Sequence, residues 1–399
     1  MSKWKKVKLG DCITTKKGFA FKSALYKSKG VPVVRVSDFT LNSITNKDLV
    51  YYPVSEYDKY KDYVLTEKDI LIQTVGSWQY NPNSVVGKVV RVPYYHQGSL
   101  LNQNIVKIIP NEGVDTNFLY YRIKCVDFSG FVLGEARGAA NQASITLDTI
   151  KRFQFCLPSS KDQHKIGIIL SRYDSLIENY QKQIKLLEEA AQRLYKEWFV
   201  DLHFPGHENT KIIDGVPEGW EKKRLINLVD VQYGYAFDGR LFNSNGEGMP
   251  ILRIRNIPDG ITSDYTTEEA SPNYIVHDGD IVVGMDGIFH INSWNGGDAY
   301  LVQRACSFRP KEESTRGFIF QAIQEPIKYF EQTLVGATVA HLGKKHIDSI
   351  ELTVPANKDL YIPFQKGFKQ RQSLLSQIRL LTEARDRLLP KLMSGEIAV

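Results

Sequence analysis

Residues 183–194 read QIKLLEEAAQRL and residues 377–388 read QIRLLTEARDRL, so one helical segment is written twice in a chain of 399 residues. A repeat at this distance restricts the fold more than any bulk property, because whatever precedes one copy should precede the other. It does. Set side by side without gaps, WKKVKLGDCITTKKGFAF from Trp4 and WEKKRLINLVDVQYGYAF from Trp220 share Trp, Leu, Gly and a closing Ala-Phe at matching positions. The match continues from Leu25-Tyr26 to Leu241-Phe242, and from VPVVRV at Val31 to MPILRI at Met249, each a strand-like apolar run holding one arginine. Asp69-Ile70-Leu71-Ile72 answers Asp280-Ile281-Val282-Val283, LLNQNIVKIIP from Leu100 answers YLVQRACSFRP from Tyr300, and FQFCLP ending at Pro158 answers IELTVP ending at Pro355.

A period of about 200 residues is far too long for a solenoid, whose repeats run about 20–50 residues. It marks a duplicated domain. The expected class is α+β, with strand-rich domains at 1–158 and 219–357, long helices over 159–203 and 358–399, and a linker at 204–218 rich in Pro, Gly and polar residues.

In the first helix Ile166, Leu170, Tyr173, Ile177, Tyr180, Ile184, Leu187, Ala191, Leu194 and Trp198 follow one another by fours and threes, which is a heptad seam flanked by charge. The second carries Leu374, Ile378, Leu381, Leu388 and Leu392, is interrupted by Arg371 and Arg385, and is bounded by Pro363 and Pro390, making it the shorter partner. Each helix can pack on its own domain, or the two can pair. Antiparallel pairing is expected, because it alone relates the copies by a pseudo-two-fold axis. A coiled coil spanning residues 166–198 is about 50 Å long at about 1.5 Å per residue, long enough to hold two domains a fixed distance apart.

The remaining composition excludes several classes. No apolar run follows the lysines of MSKWKKVKLG, and no window approaches the roughly 18 apolar residues of a membrane span, so a cytoplasmic protein without a membrane is expected. Cys12, Cys125, Cys156 and Cys306 are scattered, without Cys-x-x-Cys spacing, and are expected to be small core residues rather than disulfide partners or zinc ligands. A formal charge of +6 permits a polyanionic partner without requiring one.

Tandem units, the run AAQRLYKEWFVDL at 190–202 and the tail LLPKLMSGEI at 388–397 together resemble the specificity subunit of type I restriction-modification enzymes. The resemblance spans essentially the whole chain. It implies that the strand-rich units are target recognition domains, each binding half of a split double-stranded DNA sequence. It also implies that the helices dock two adenine-N6 methyltransferase subunits, that nuclease/translocase subunits join them in host defence, and that S-adenosylmethionine, ATP and Mg belong to those partners.

The residues themselves offer no catalytic site or cofactor cradle. The loops at 134–138 and 284–287 fit neither the P-loop nor the dinucleotide fingerprint. Asn81-Pro82-Asn83-Ser84 lacks the second proline and aromatic of a base-gripping methyltransferase loop, and His203 and His207 find no third ligand, so no metal is expected. A self-contained methyltransferase or restriction enzyme would need such motifs; a coiled-coil adaptor binding proteins alone would not need DNA-facing loops.

Such loops are present. In the first unit Lys16, Lys17 and Lys22 flank Gly18-Phe19-Ala20-Phe21, and Trp78, Gln79, Tyr80, Asn81, Arg137, Asn141 and Gln142 fall in two further loops. In the second, Arg240, Arg253, Arg255, Asn256, His290, Asn292, Trp294, Asn295, Lys344 and Lys345 fall in regions taken as equivalent. Arg, Asn and Gln match guanine and adenine edges, whereas Lys neutralises phosphate. A solvated side chain remains the alternative for each. Arg35 and Arg253 recur at matching positions, which suits phosphate contact or a structural ion pair better than base readout. Tyr195, Trp198, Phe199, Leu392 and Met393, apolar groups near helix ends, are the expected partner-binding set, with capping of the domain bases as the alternative.

Overall fold

Two four-residue runs, Ile70–Gln73 (ILIQ) and Ile281–Gly284 (IVVG), are buried at every residue in the computed structural model. An alternating strand shows one face to water; an unbroken apolar run must be covered on both. Each is a central strand of a four-stranded antiparallel sheet. In the first unit the order is Ile13–Lys17, Ile105–Pro110, Ile70–Gln73, Val89–Arg91; in the second it is Val229–Tyr233, Ala305–Pro310, Ile281–Gly284, Ile291–Ser293. A second sheet repeats too, with Val31–Val34 parallel to Leu100–Leu101 in one unit and Met249–Leu252 parallel to Ala299–Leu301 in the other. Lys5–Lys8 pairs with Gln154–Leu157 as Trp220–Arg224 pairs with Glu351–Pro355. The duplication read in the sequence is thus a duplication of strand order and register.

One glycine in each copy is required by close approach. A Cβ on Gly18 would lie 1.9 Å from the Asn102 carbonyl oxygen, and one on Gly234 2.2 Å from that of Val302. These glycines let Phe19 and Tyr235 form matching parallel bridges to Asn102 and Val302.

The structure describes residues 4–40, 43–78, 84–139, 142–334 and 340–399. They form two units, one holding the residues up to Ser175 together with Thr382–Val399, the other Leu176–Leu381. Both long helices, Ser160–Tyr195 and Ile362–Ser394, therefore contribute a segment to each unit. In the first unit Ile166 and Leu170 share a core with Leu392 and Met393, and Asp174 Oδ1 accepts from Arg385 Nη1 at 2.5 Å. In the second, Glu188 Oε1 accepts from Arg371 Nε at 2.6 Å, and the Tyr195 and Trp198 rings lie 6.3 and 6.0 Å from Phe364. In both units one helix advances as the other recedes, so the pairing is antiparallel. Along the first helix the residues at seam spacing, Tyr173, Ile177, Leu187 and Leu194 among them, are buried or half-buried, whereas Leu176 and Leu186 off the seam are exposed. On the second, Leu374 and Leu392 are buried and Ile378, Leu381 and Leu388 half-buried.

Four expectations are corrected. The second helix is the shorter partner only by three residues, 33 against 36, and the prolines do not bound it: it runs through both. Pro363 sits in the first turn, where no donor is needed. Pro390 lies inside; burial of Leu392 and Met393 beyond it, each worth about 1.5–3 kcal/mol, offsets an interior proline's cost of about 3 kcal/mol. Arg371 and Arg385 do not interrupt the seam but occupy it, buried and paired with acids. The segment 204–218 is more than a linker. Phe204 is buried beside Trp220 in the second core, and Ile212–Ile213 pairs with Val216–Pro217 through Asp214-Gly215, both left-handed, as a tight type I′ hairpin requires. Cys156 is exposed, while the other three cysteines are core residues.

Candidate nucleic-acid interface

In the first unit strand pairing gathers part of the expected set. Arg137–Ala139 pairs with Gln142–Ser144, which pairs in turn with Val75–Gly76. The hairpin thereby meets Trp78, whose Nε1 donates to the Ala139 carbonyl at 3.1 Å. Arg137 and Gln142 are exposed on it. Gln79, Tyr80, Asn81 and Asn141 lie outside the described residues. Lys17 and Lys22 are exposed, but Lys16 is half-buried, 3.7 Å from Asp62 and over the Tyr63 ring at 4.8 Å. Arg35 is committed elsewhere: its Nη2 and Nε donate at 2.8 and 3.3 Å to Asp38, a carboxylate only 2 % exposed, which also accepts from the Arg35 backbone N–H. It is a structural ion pair.

Its counterpart Arg253 has Asn256 where Arg35 has Asp38; the Asn256 side chain accepts from the Arg253 backbone, and the guanidinium lies 5.4 Å from the Phe242 ring. Arg240 is exposed and held by Asp238, whose carboxyl it keeps below the ordinary carboxylate range, and Arg255 pairs with Asp264 at 2.6 Å. Lys344 and Lys345 are exposed on the short helix Lys344–Asp348.

The segment 290–295 is not a reading loop. Ile291–Ser293 is the edge strand matching Val89–Arg91 of the first unit. Trp294 is wholly buried, its Nε1 donating to Gly297, and Asn295, 5 % exposed, accepts from Ser376 on the second long helix. Asn292 accepts from Arg371 Nη2 at 2.9 Å while donating to the Ile257 carbonyl. These side chains fasten the sheet to the helix; His290 is half-buried beside them. The true counterpart of the first unit's hairpin lies elsewhere. Ile145 N donates to Thr74 O and Ala143 pairs with Gly76, just as Leu342 N donates to Met285 O and Asp286 pairs with His341. There three side chains absent from the expected set meet. Asp286 Oδ2 accepts from Arg304 Nη1 at 2.6 Å, and its Oδ1 lies 2.5 Å from His341 Nδ1. The signal was available where NQN at Asn102 aligns with VQR at Val302, a matched frame with a changed side chain.

Of the expected partner-binding residues, Phe199, Leu392 and Met393 are core and Tyr195 and Trp198 are half-buried against it. Phe199 stacks on Tyr195 at 5.2 Å and lies 4.8 Å from Phe318 in the second unit, where burial pushes the Tyr195 hydroxyl up to about 12. Trp198 packs against the same cluster, and Leu392 and Met393 are in the first unit's core. They cap the domain bases. The most exposed apolar groups on the two long helices are instead Leu186 and Leu380, 64 and 61 % exposed, which occupy the same place in the two copies of the repeated segment.

Among the described residues no group of three or more His, Cys, Asp or Glu is arranged to hold a metal, and no helix is long and apolar enough to cross a membrane. Comparison with known proteins matches residues 1–189 and 217–375 to the type I restriction modification DNA specificity domain, once for each copy of the repeat. The chain belongs to that family. This specificity subunit is 28 % identical over 315 residues to the type I restriction enzyme MjaIX specificity subunit of Methanocaldococcus jannaschii, covering 75 % of this chain and 73 % of that one. It is 24 % identical over 391 residues to a putative type I restriction enzyme MjaX specificity subunit of the same organism, covering 93 and 88 %. The crystal structure of a type I restriction-modification system S subunit from M. genitalium superposes with a TM-score of 0.56 at 18 % identity, covering 98 % of this chain and 96 % of that one, and shares the fold.

Proposed function

We propose that this specificity subunit binds a split double-stranded DNA target, one half-site per unit, and holds two adenine-N6 methyltransferase subunits, with nuclease/translocase subunits completing the assembly. It recognises sequence and carries out no chemistry of its own. S-adenosylmethionine, ATP and Mg are used by the partners, in the cytoplasm where the DNA lies. The observation that carries this is a repeated frame with changed tips. Sheet order and register repeat between units, while exposed side chains at equivalent loops differ: Arg137 and Gln142 on one side, Arg304, His341, Lys344 and Lys345 on the other. Matching four-stranded sheets with unlike donors at their edges suit two unlike half-sites. Leu186 and Leu380, repeated and exposed, suit a pair of identical partners better than a single one.

The test is to purify the chain with its methyltransferase partners and map N6-methyladenine in treated DNA. A two-part motif with unlike halves separated by unread bases is expected. An uninterrupted motif, or methyl transfer by the isolated chain, would overturn the proposal.

A further inference from the structure

We propose that Arg304 is a base-reading residue of the second unit, directed at guanine by the carboxylate of Asp286. The inference rests on the half-site reading above and names a residue for it. Four segments meet at this edge of the unit. Gln303 N donates to Tyr235 O, Met285 N to Arg304 O, Leu342 N to Met285 O, and Gly287 N to Ala340 O, all at 2.8–3.0 Å. The turn that carries Arg304 is therefore held from two sides by backbone bonds, and the Met285 loop beside it is held in turn by residues 340–342.

Arg304 itself has φ 72, the left-handed region that bulky L residues avoid, although neither a glycine nor an asparagine occupies the position. Such backbone outliers persist where surrounding structure enforces them and concentrate at functional sites. The guanidinium is then fixed at its tip. Asp286, with its side chain 21 % exposed, engages Arg304 by one oxygen and His341 by the other, whereas Arg304 is 60 % exposed. This differs from Arg240, which pairs with the acid two residues before it in its own turn. The Arg304 brace comes from a separate loop and is backed by a residue from a third.

Among the described residues Arg304 meets Asp286 through Nη1, so its Nε and Nη2 are not spent on that carboxylate. A guanidinium so placed offers the paired donors that guanine O6 and N7 accept, and meets a donor instead at adenine N6. Bracing also reduces the rotamer freedom lost on binding. In the first unit the same backbone bond runs from Thr74 N to Asn104 O, with asparagine in place of arginine. One frame thus presents an adenine-type side chain in one unit and a guanine-type side chain in the other.

The experiment uses the complex with its methyltransferases and the same methylation map, comparing Arg304→Asn and Asp286→Asn with the wild type. Asparagine tolerates the left-handed backbone, so Arg304→Asn keeps the turn. Preference at a single guanine of one half-site should fall roughly five- to a hundredfold, with the other half-site unchanged; Asp286→Asn should relax the same base less. Uniform weakening on all sequences would make Arg304 a phosphate contact and overturn the inference. So would no change, or a relaxed preference at a base other than guanine. If the wild-type complex yields no two-part motif, it is the underlying half-site reading that fails.

Discussion

Arg371 Nε donates to Glu188 Oε1 at 2.6 Å inside the seam of the second unit. The same guanidinium also reaches the Ser293 hydroxyl and Asn292 Oδ1, so one arginine ties both long helices to the sheet. Replacing Glu188 by Leu removes one partner and leaves a buried cation short of an acceptor. A loss of about 1–3 kcal/mol in urea unfolding is expected. Adding Arg371→Leu should recover much of it, because a buried ion pair is often matched by apolar packing of similar volume; a double variant no better than the single would contradict this account.

Phe199→Ala should destabilise the second unit by about 3–5 kcal/mol, as large-to-small changes in aromatic cores do, visible as a lowered melting temperature. Leu186→Lys with Leu380→Lys should leave melting unchanged and weaken methyltransferase association in a pull-down or by calorimetry. If the reverse is observed, the buried aromatics, not the exposed leucines, face the partner.

Salt dependence separates the lysines. Lys17→Ala and Lys22→Ala remove exposed cations, and every phosphate that thereby goes unneutralised should reduce the slope of log affinity against log salt by about 0.9. Lys16, already held by Asp62 and Tyr63, should change it less. Titrations at several salt concentrations, on specific and unrelated duplexes alike, measure both slopes.

His96 makes acid stability testable. Its ring is fully buried, with Nε2 at 2.8 Å from Thr45 O and Nδ1 at 3.0 Å from Ser99 Oγ. Burial lowers its pKa below the ordinary 6.5, against smaller opposing effects of the Thr45 carbonyl and Asp38. The native state therefore keeps the ring neutral while the unfolded chain takes up a proton. Its contribution is complete above 6.5 and is lost as pH falls through the native value. His96→Asn should be less stable at neutral pH yet lose less stability on acidification, as followed by urea midpoints at several pH values.

The duplication and the long helices were legible because they depend on spacing, and spacing survives in a bare sequence. The seam arginines were not. Arg371 and Arg385 read as breaks in an apolar register, since their neutralising acids, Glu188 and Asp174, stand on the other helix. Segment 290–295 looked like a polar loop because Asn292 and Asn295 are hydrophilic, yet both are satisfied by residues about eighty positions away. Trp198 and Phe199 looked like an exposed patch because their cover, Phe318 and Phe364, comes from elsewhere in the chain. Alignment of the repeat did hold the pairing of Asn104 with Arg304, whereas the brace from Asp286 stands on a separate loop that only the fold brings near.

The division of the chain into units also sets a timetable. The core of the first unit includes Leu392 and Met393, with Trp4 packed against it, whereas the second unit is the uninterrupted stretch Leu176–Leu381. At a ribosome adding roughly 5–20 residues per second, the first unit waits roughly ten to forty seconds between synthesis of Ser175 and arrival of its last helical turns. The half written first is finished last. During that interval its sheet stands without its closing layer while its neighbour is being made, and a nascent chain released between Leu381 and Leu392 would carry one finished unit and one open core.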